Sequence, residues 1–559
     1  MKISKSRYNI DPDEIFIDSR NLSSLDQQQF EGRIERALSR RSLLQLGIGF
    51  MLVTTIFVTR IGFLQVVRGE EFRLRSENNS LKVVNIPTER GVIYDRSGEL
   101  LAWNDPGAGR AYTKRNGMAH VLGYLGKPDT LDLALGLVLD PDSRIGKNGV
   151  EKQYDDTLRG QVGMKYQEVD SKGGISSERI SIQPKDGQQL KLSIDARVEE
   201  MLYNTIKSVA DEREFTGGAG VIMDVNSGEV LAITSYPEFP LALLSGTTTD
   251  NSINDIFKDS RTPFVNRAIS GLYAPGSIVK PIMAVAALAE NIIDPYRQIL
   301  STGALEIPNP YNPGVVTTFK DWKAHGLVDM RQAIAVSSNV YFYEIGGGFQ
   351  NQRGLGIANI NEYTAMFGLG RLSQIDLPGE LSGNVPSPEW KKDLFNGENW
   401  VLGDTYHTAI GQYGFQVTPL QMARAIGAIA NNGKLLNPKI VQINTGNPVR
   451  YEVINVATST FQVIREGMRL AVEVGTAKAL DVPYTKIAAK TGTAELGTTK
   501  SKVNSWVEGF FPLDNPRYSF AIVMERGNVG NVIGAAAVAR NLFDQMAVYM
   551  PEYLSYTSP

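Results

Sequence analysis

A serine and a lysine three positions apart could form a nucleophile and its base in residues 273–291, YAPGSIVKPIMAVAALAEN. Pro275 and Gly276 break the backbone just before the serine, Ser277. The apolar run that follows is long enough for about three helical turns. We therefore predict a buried helix that opens at Ser277 and places Lys280 over the same face.

Lys280 would stand at the head of this buried helix, where a lysine is unusual. Burial disfavours the ammonium form, and the positive helix N-terminus adds to that effect, so the pKa of this lysine would fall. A neutral amine beside a serine hydroxyl can act as its general base. The alternative is a solvated first-turn lysine beside a serine cap, which the short motif alone favours.

Residues 330–346, MRQAIAVSSNVYFYEIG, supply further polar candidates. Their pattern predicts one helix that carries Ser337, Ser338 and Asn339 as site residues. The alternative is that these short polar side chains only break a core helix, because they compete for backbone hydrogen bonds.

Near the C-terminus, residues 486–495, KIAAKTGTAE, predict a strand. On this strand Lys490 and Gly492 share one face, while Thr491 and Thr493 point the other way. A glycine inside a strand indicates that something approaches the backbone closely, and a lysine beside that gap could bind a carboxylate. The alternative is a loop or the charged edge of a sheet.

Three weak motifs in one order give a stronger signal than any one of them alone. S-x-x-K at a helix start, S-x-N on a later helix and K-T-G on a C-terminal strand form the signature set of penicillin-recognising serine enzymes. In such a site Ser277 attacks a carbonyl and Lys280 takes its proton. Ser337 and Asn339 would relay protons and hold an amide of the substrate.

The strand residues would bind the substrate and its developing charge. Lys490 and Thr491, next to Gly492, would anchor a terminal carboxylate. The backbone N–H groups of Ser277 and Thr493 would form an oxyanion hole.

The composition is that of a globular protein. The 559 residues are 42% hydrophobic and 21% charged, and a net charge of −3 without a basic block gives no reason to expect nucleic acid. With no cysteine in the sequence, disulfides, thiolate catalysis and cysteine-based metal sites are excluded. None of His120, His325 and His407 is preceded by the G-x-S-x-G pattern of a Ser-His-Asp hydrolase, so lysine is the better candidate base.

The N-terminal region predicts a membrane anchor. Residues 1–42 are polar and charged, and we expect a short, partly disordered cytoplasmic tail. Residues 43–67 begin with about 17 uncharged residues, enough for a single transmembrane helix. A buried soluble helix and a cleaved signal peptide are the alternatives. Arginines flank both ends, so charge does not orient the span.

Two regions follow the predicted membrane helix. Residues 68–191 show short alternating strands with turn residues, which predicts a mostly β positioning or docking domain. From residue 192 to 559 the pattern changes to longer helices and strands, with strands predicted at 505–511 and 518–525.

The motifs together resemble the class B penicillin-binding proteins, which are membrane-anchored peptidoglycan transpeptidases. Residues 90–102, RGVIYDRSGELLA, are similar to a family signature just outside the membrane, and residues 266–280, NRAISGLYAPGSIVK, match its nucleophile region. Residues 386–392, PSPEWKK, and 403–421, GDTYHTAIGQYGFQVTPLQ, look like the elongation-type subgroup, penicillin-binding protein 2, more than the division-type one.

This resemblance implies a fold and a reaction. The fold would be α+β, with one transmembrane helix, a mostly β pedestal (dimerisation-type) domain over 68–191, and a transpeptidase domain over 192–559 whose antiparallel sheet is flanked by helices. Ser277 would attack the penultimate D-alanine carbonyl of a pentapeptide stem, and an amine of a neighbouring stem would complete the cross-link during cell-wall elongation. β-Lactams would acylate the same serine.

The resemblance also implies a location and partners. The C-terminal portion would face the periplasm or cell exterior, and a SEDS-type glycosyltransferase would contact the membrane helix and the pedestal. No cofactor is implied. Some relatives carry a zinc site that needs cysteine, so for this cysteine-free chain we predict no metal.

The chain departs from the family pattern in two places. Between Asp95 and Ala119 it has only residues 96–118, where relatives usually insert a substantial head subdomain, so contacts of scaffold proteins through that head are in doubt. Tyr413 stands where relatives commonly have glycine in a G-Q-G turn.

Other functions fit the same fold. A D,D-carboxypeptidase or β-lactamase would use water as the acceptor, and a non-enzymatic β-lactam sensor or scaffold would be acylated without forming cross-links. A β-lactamase needs a positioned base for its water, which the sequence does not reveal, and the predicted anchor and pedestal favour work on a polymer. A division-type transpeptidase is the remaining alternative.

Overall fold

The computed structural model describes residues 40–106, 109–130, 132, 144–169, 174–241, 252–309, 312–442, 449–497 and 499–555. The predicted tail, residues 1–42, lies outside the described residues except for its last three. The chain divides into two compact units. The first contains the residues up to Val84 together with Tyr166–Arg179, and the second contains Asn85–Lys165 and the chain from Ile180 onward.

Helices occur in both units. In chain order, the described helices are α1 Arg40–Gly62, α2 Gly69–Ser80, α3 Ala119–Leu122, α4 Gly149–Gln153, α5 Asp155–Arg159, α6 Ala196–Arg213, α7 Ser252–Lys258, α8 Lys280–Ala289, α9 Met330–Val336, α10 Asn339–Gly347, α11 Gly356–Met366, α12 Pro388–Leu394, α13 Leu402–Ala409, α14 Pro419–Ala430, α15 Thr458–Glu473 and α16 Ala535–Tyr549.

Strands also occur in both units. In chain order, the described strands are β1 Leu81–Ile86, β2 Ile93–Tyr94, β3 Leu100–Asp105, β4 Gly109–Tyr112, β5 Leu125–Gly126, β6 Ile145–Gly146, β7 Gly163–Val169, β8 Ile175–Ile182, β9 Leu190–Lys191, β10 Gly217–Asp224, β11 Val230–Tyr236, β12 Ile299–Ser301, β13 Ala304–Asn309, β14 Asn312–Lys320, β15 Gly326–Val328, β16 Lys434–Leu436, β17 Tyr451–Val453, β18 Ala488–Leu496, β19 Lys502–Phe511 and β20 Tyr518–Asn528.

The first unit contains a long apolar helix and a small sheet. Helix α1 continues through a π-helical turn, so that the segment Arg40–Val67 has 28 residues with a mean hydropathy of 1.8 over its most apolar window. No residue of that window is buried, although most are apolar. A segment of this length and composition is long enough to cross a bilayer. Strands β1, β7 and β8 pair in that order.

The second unit is built on a five-stranded antiparallel sheet with the order β11-β10-β20-β19-β18. Helices α6 and α16 share a buried apolar cluster with Val507 and Phe511 on one sheet face. Helices α8 and α14 share another cluster with Trp506 and Phe510, which alternate with the first pair and so lie on the opposite face. The central strands are therefore buried on both sides, and the predicted antiparallel sheet flanked by helices is confirmed.

Smaller elements of the second unit precede this sheet in the chain. Strands β4, β3, β2 and β9 form a four-stranded sheet in that order, in which β2 and β9 are parallel. Strands β5 and β6 form a separate pair. The β3–β4 hairpin occupies the stretch between Asp95 and Ala119, where relatives usually insert a head subdomain.

The prediction of one helix over 330–346 is wrong. Helix α9 begins at a capping box formed by Asp329 and Gln332 and ends at Ser337, whose φ of 58° is left-handed. Ser338 then caps α10, because its hydroxyl accepts a hydrogen bond from the backbone N–H of Tyr341. The two serines thus form the break between two helices, rather than a polar stripe along one.

Candidate active site

Ser277 lies on a short 3-10 turn, Gly276–Val279, directly before α8, so the α-helix itself begins at Lys280 rather than at the serine. Gly276 has a φ of 56°, and its N–H donates to the carbonyl of Gly411 at 3.0 Å. The Ser277 side chain is half-buried and lines a groove. Among the described residues its hydroxyl has no hydrogen-bond partner, so its oxygen is free to receive a base or a substrate.

Lys280 is fully buried at the start of α8, as predicted. Its Nζ donates to the carbonyl of Ser337 at 2.8 Å, to the Oδ1 of Asn339 at 2.7 Å and, more weakly, to the Oγ of Ser337 at 3.3 Å. Burial holds the pKa of this amine well below 10.5, and the positive charge of Lys490 lowers it further, against the carboxylate of Asp321. This shift favours the neutral amine, which is the form that can accept a proton.

Ser337, Ser338 and Asn339 lie together at the break between α9 and α10. Ser337 and Asn339 line the groove and contact Lys280, whereas Ser338 is fully buried behind them. The Oγ of Ser338 donates to the Oδ2 of Asp321 at 3.0 Å and lies within hydrogen-bond distance, 2.9 Å, of the Oγ of Ser301. Ser338 therefore supports the site from within the core.

Asp321 is a residue that the sequence reasoning missed. Its side chain is buried, and its Oδ2 accepts hydrogen bonds from the Oγ of Ser338 and the N–H of Val340, both at 3.0 Å. The carboxylate thus binds the N-terminus of α10, where a negative charge is favourable. It holds the Ser337–Asn339 break in place, but it comes from the loop after β14 and belongs to no recognisable motif.

Lys490 is fully buried on β18, the edge strand of the sheet. Its Nζ donates to the Oγ of Ser337 at 2.8 Å and to the carbonyl of Thr491 at 2.7 Å. Burial lowers the pKa of Lys490 to about 7, while the carboxyl of Glu508 acts in the opposite direction. Both site lysines therefore donate to the same serine from behind the groove wall.

The other residues of the K-T-G-T segment face the groove or the serine turn. Thr491, Gly492 and Thr493 line the groove, and the Oγ1 of Thr491 donates to Thr476, which follows α15, at 2.6 Å. A Cβ at Gly492 would lie 2.9 Å from the Cγ2 of Ile278 and 3.0 Å from the carbonyl oxygen of Pro275. The glycine thus allows β18 to approach the Ser277 turn closely, which explains its place in a strand.

The groove has a volume of about 1130 Å³. Six of the predicted site residues line it, namely Ser277, Ser337, Asn339, Thr491, Gly492 and Thr493, whereas Lys280, Ser338 and Lys490 are buried behind its wall. The rest of the lining consists of Thr318, Phe319, Lys320, Asp321, Trp322, Tyr343, His407, Ile410, Gln412, Tyr413, Thr476, Glu495, Gly497 and Lys500. Tyr413, which stands where relatives commonly have glycine, has a left-handed φ of 65° and packs against Trp390 and Trp400. Within the described ranges, no group of three or more His, Asp or Glu side chains could hold a metal ion.

Two domain families match the sequence. A "Penicillin binding protein transpeptidase domain" matches residues 218–544, more than half of the chain, and a "Penicillin-binding Protein dimerisation domain" matches residues 105–192. The chain belongs to the penicillin-binding protein transpeptidases. The transpeptidase match contains all nine residues predicted for the site, which are Ser277, Lys280, Ser337, Ser338, Asn339, Lys490, Thr491, Gly492 and Thr493.

Individual relatives and solved structures are similar to this chain over most of its length. The peptidoglycan D,D-transpeptidase MrdA of Haemophilus influenzae is 27% identical over 637 aligned positions, which cover 94% of this chain and 95% of the relative. The structure of Pseudomonas aeruginosa PBP2 in complex with WCK 5153 is 28% identical with a TM-score of 0.71, and the match covers 85% of this chain and 99% of that one. The complex of PBP2 and MreC from Helicobacter pylori gives 25% identity, a TM-score of 0.72, and coverage of 84% and 99%.

These comparisons confirm the predicted family, the α+β fold and the enzyme class. This penicillin-binding protein is a peptidoglycan D,D-transpeptidase, and its relatives support the predicted elongation-type subgroup. The roles of the individual site residues remain predictions.

Proposed function

We propose that this transpeptidase cross-links peptidoglycan stem peptides through an acyl-enzyme on Ser277. The Ser277 oxygen attacks the carbonyl of the penultimate D-alanine, and its proton passes to the Lys280 amine. The bond to the terminal D-alanine breaks, and that residue leaves as an amine after it receives the proton. An amine of a neighbouring stem then attacks the ester, forms the cross-link and restores the serine.

The single observation that carries this proposal is the convergence of two buried lysines on Ser337 at the groove. Lys280 donates to its carbonyl and Lys490 to its hydroxyl, while Ser277, whose hydroxyl has no partner in the described part of the chain, lines the same groove. A proton taken by Lys280 can pass along hydrogen bonds through Ser337 toward the leaving group. Asn339, which accepts from Lys280, also lines the groove and can hold an amide of the stem.

The terminal carboxylate of the stem would bind at the K-T-G-T segment. Thr491 and Thr493 line the groove there and offer hydroxyl groups. The charge of Lys490 lies directly behind them and favours an anion at this end of the groove. The backbone N–H groups of Ser277 and Thr493 would stabilise the oxyanion. A β-lactam places a carboxylate and a strained amide in the same positions and would acylate Ser277.

The chain would act outside the cytoplasmic membrane, where peptidoglycan is assembled. In this arrangement residues 43–67, within the long apolar helix, span the membrane once, and residues 1–42 stay in the cytoplasm. Residues 68–191 form the pedestal, and residues 192–559 form the transpeptidase domain. The partner of the membrane helix and pedestal would be a SEDS-type glycosyltransferase. The complex of the H. pylori relative supports an MreC-type protein as a second partner.

The test is a cross-linking assay with lipid II and a cognate glycosyltransferase, in which muropeptides are identified by mass spectrometry. We expect cross-linked dimers with the wild-type chain and none with Ser277→Ala. Dimers that persist in the variant would remove Ser277 from the mechanism. Release of D-alanine without dimers would instead indicate a carboxypeptidase, and penicillin labelling without either product would indicate a sensor.

A further inference from the structure

Glu508 is a buried carboxyl group beside the active site that no motif includes. It lies on β19 directly opposite Lys490 on β18, so the two side chains extend from the same sheet face. On its other side Glu508 is opposite Ala521 of β20, which offers no hydrogen bond from its side chain. The residue is fully buried, and neither carboxylate oxygen has a hydrogen-bond partner among the described residues.

A carboxyl group in this position needs an explanation, because its neighbours on this sheet face other than Lys490 are apolar. Trp506 and Phe510, two positions away on the same face, belong to the apolar cluster that packs under the sheet. A buried acid without hydrogen bonds destabilises a fold, and an apolar residue of similar size would be more stable here. Burial raises the pKa of Glu508 well above 4.5, and in the described part of the chain the group that opposes this rise is the Lys490 ammonium.

The two site lysines cannot both carry a charge at low cost. Each is fully buried, and both donate to Ser337, one to its carbonyl and one to its hydroxyl. A positive charge on one disfavours a positive charge on the other. Catalysis needs the Lys280 amine neutral as a base, so the charge that favours the substrate carboxylate has to be on Lys490.

Other charged groups near these lysines do not place the positive charge on Lys490 rather than on Lys280. Asp321 favours a charge on Lys280, which is the wrong lysine for the reaction. On the helices packed against the sheet, Arg424 of α14 and Arg465 of α15 donate to the backbone carbonyls of Leu436 and Ala430. Arg469 of α15 pairs with Glu473 and Asp481.

We propose that Glu508 is a positioning residue that fixes the positive charge on Lys490 and thereby leaves Lys280 neutral as the base for Ser277. This inference rests on the proposed function of the three groove motifs. Glu508 does not touch the substrate. It acts through Lys490, because burial lowers the pKa of that lysine and the carboxylate of Glu508 raises it again, to about 7.

The consequence is a defined pH dependence. With Glu508 present, the proton stays on Lys490 up to about pH 7, and its positive charge favours the neutral form of Lys280. Without the carboxylate, Lys490 loses its proton at a lower pH, and part of the protein places the proton on Lys280 instead. Both changes reduce the fraction of protein that is ready to be acylated, and the loss grows as the pH rises.

The test measures the second-order rate constant for acylation by a fluorescent penicillin, from about pH 5 to about pH 9.5, with the full-length protein in detergent. For Glu508→Gln we expect a rate constant about tenfold below wild type at neutral pH, and an alkaline decline that begins about one pH unit lower. Glu508→Leu, which removes the buried acid and favours folding, is expected to shift the profile in the same direction.

The matched control is Glu199→Gln, because Glu199 is also a fully buried acid with one unpaired oxygen, but lies on α6 outside the groove. Its pH profile is expected to equal that of wild type. A wild-type profile in both Glu508 variants, or a drop that is equal at every pH, would overturn the proposal. Ser277→Ala in the same assay tests the proposed function separately, because persistent labelling there would contradict the nucleophile and not the role of Glu508.

Discussion

Two regions of this transpeptidase bury ionisable side chains, and they use them differently. Behind the groove, Lys280 and Lys490 donate to one serine that is open to substrate. Around β11 and α3, Glu199 and His120 are also buried, and Glu238 is partly buried. Burial raises the pKa of Glu199 to about 8 and of Glu238 to about 7, and it lowers the pKa of His120 to about 3.

The hydrogen bonds of the two regions explain the difference. Glu199 accepts from the backbone N–H of Ile233, and Glu238 accepts from those of Gly117 and Ala119. These acids hold backbone segments together. The groove lysines instead both contact the hydroxyl of Ser337, which lines the same groove as Ser277, the proposed nucleophile. A shifted pKa therefore indicates chemistry only where the buried group can exchange a proton with a substrate site.

The largest effect is expected when the nucleophile is removed from the groove. Ser277→Ala leaves no oxygen to be acylated, so labelling by a fluorescent penicillin should be abolished. Intact-mass measurement with and without the penicillin checks this. A covalent adduct of the same mass in the variant would show that the groove is not the reactive region.

Removal of the base is expected to have the next largest effect. Lys280→Met keeps the length of the side chain but not the amine, and the acylation rate constant should fall by about 10²- to 10⁴-fold. Stopped-flow acylation kinetics measure the change. Lys486→Met, which removes an exposed lysine just before β18, serves as the control and should keep the wild-type rate. A fall of less than about tenfold in Lys280→Met would contradict the role of the buried amine.

A smaller loss of acylation rate should follow when strand β18 is pushed away from the turn that carries Ser277. In Gly492→Ala the new methyl group meets Ile278 and the carbonyl of Pro275, so β18 has to shift. Because a displacement of about 1 Å can cost 10²-fold in rate, we expect acylation to slow by about that factor. Gly530→Ala, at a glycine with open space around it, is the control in the same kinetic assay. Equal rates in the two variants would mean that the close approach is not needed.

The smallest effect on function is expected in the region around β11 and α3, where a change at Glu199 should alter only the stability of the fold. The raised pKa of Glu199 stabilises the fold fully below about pH 4.5, and this contribution is lost as the pH rises through about 8. Between these values wild type should lose on the order of 5 kcal/mol more than Glu199→Gln, because each unit of pKa difference corresponds to about 1.4 kcal/mol. Denaturation midpoints at the two pH values measure the difference. An equal loss in both proteins would show that Glu199 does not titrate in the fold.

The sequence predicted the parts of the site that depend on local pattern. Ser277 and Lys280 were found because a proline–glycine break precedes a buried apolar helix, and Lys490 and Gly492 because a lysine and a glycine share one face of a strand. The family resemblance then joined segments that are far apart in the chain.

What the sequence did not predict depends on contacts between distant segments. The break at Ser337 needs a left-handed backbone that propensity alone does not specify, and apolar spacing on both sides favoured one helix. Asp321 and Glu508 come from a loop and a strand without motifs. Only the pairing of β18 with β19 places Glu508 opposite Lys490, and strand register is not readable from one sequence.

The most direct test of the proposed site is NMR of ¹³Cε-labelled lysine in the full-length protein, with Lys280→Arg and Lys490→Arg used to assign the two resonances. We predict that both lysines titrate below 10.5 and that Lys280 loses its proton at a lower pH than Lys490, whose pKa is about 7. If Lys280 instead remained charged up to its ordinary range, or if Lys490 lost its proton first, the assignment of base and counter-charge would be wrong.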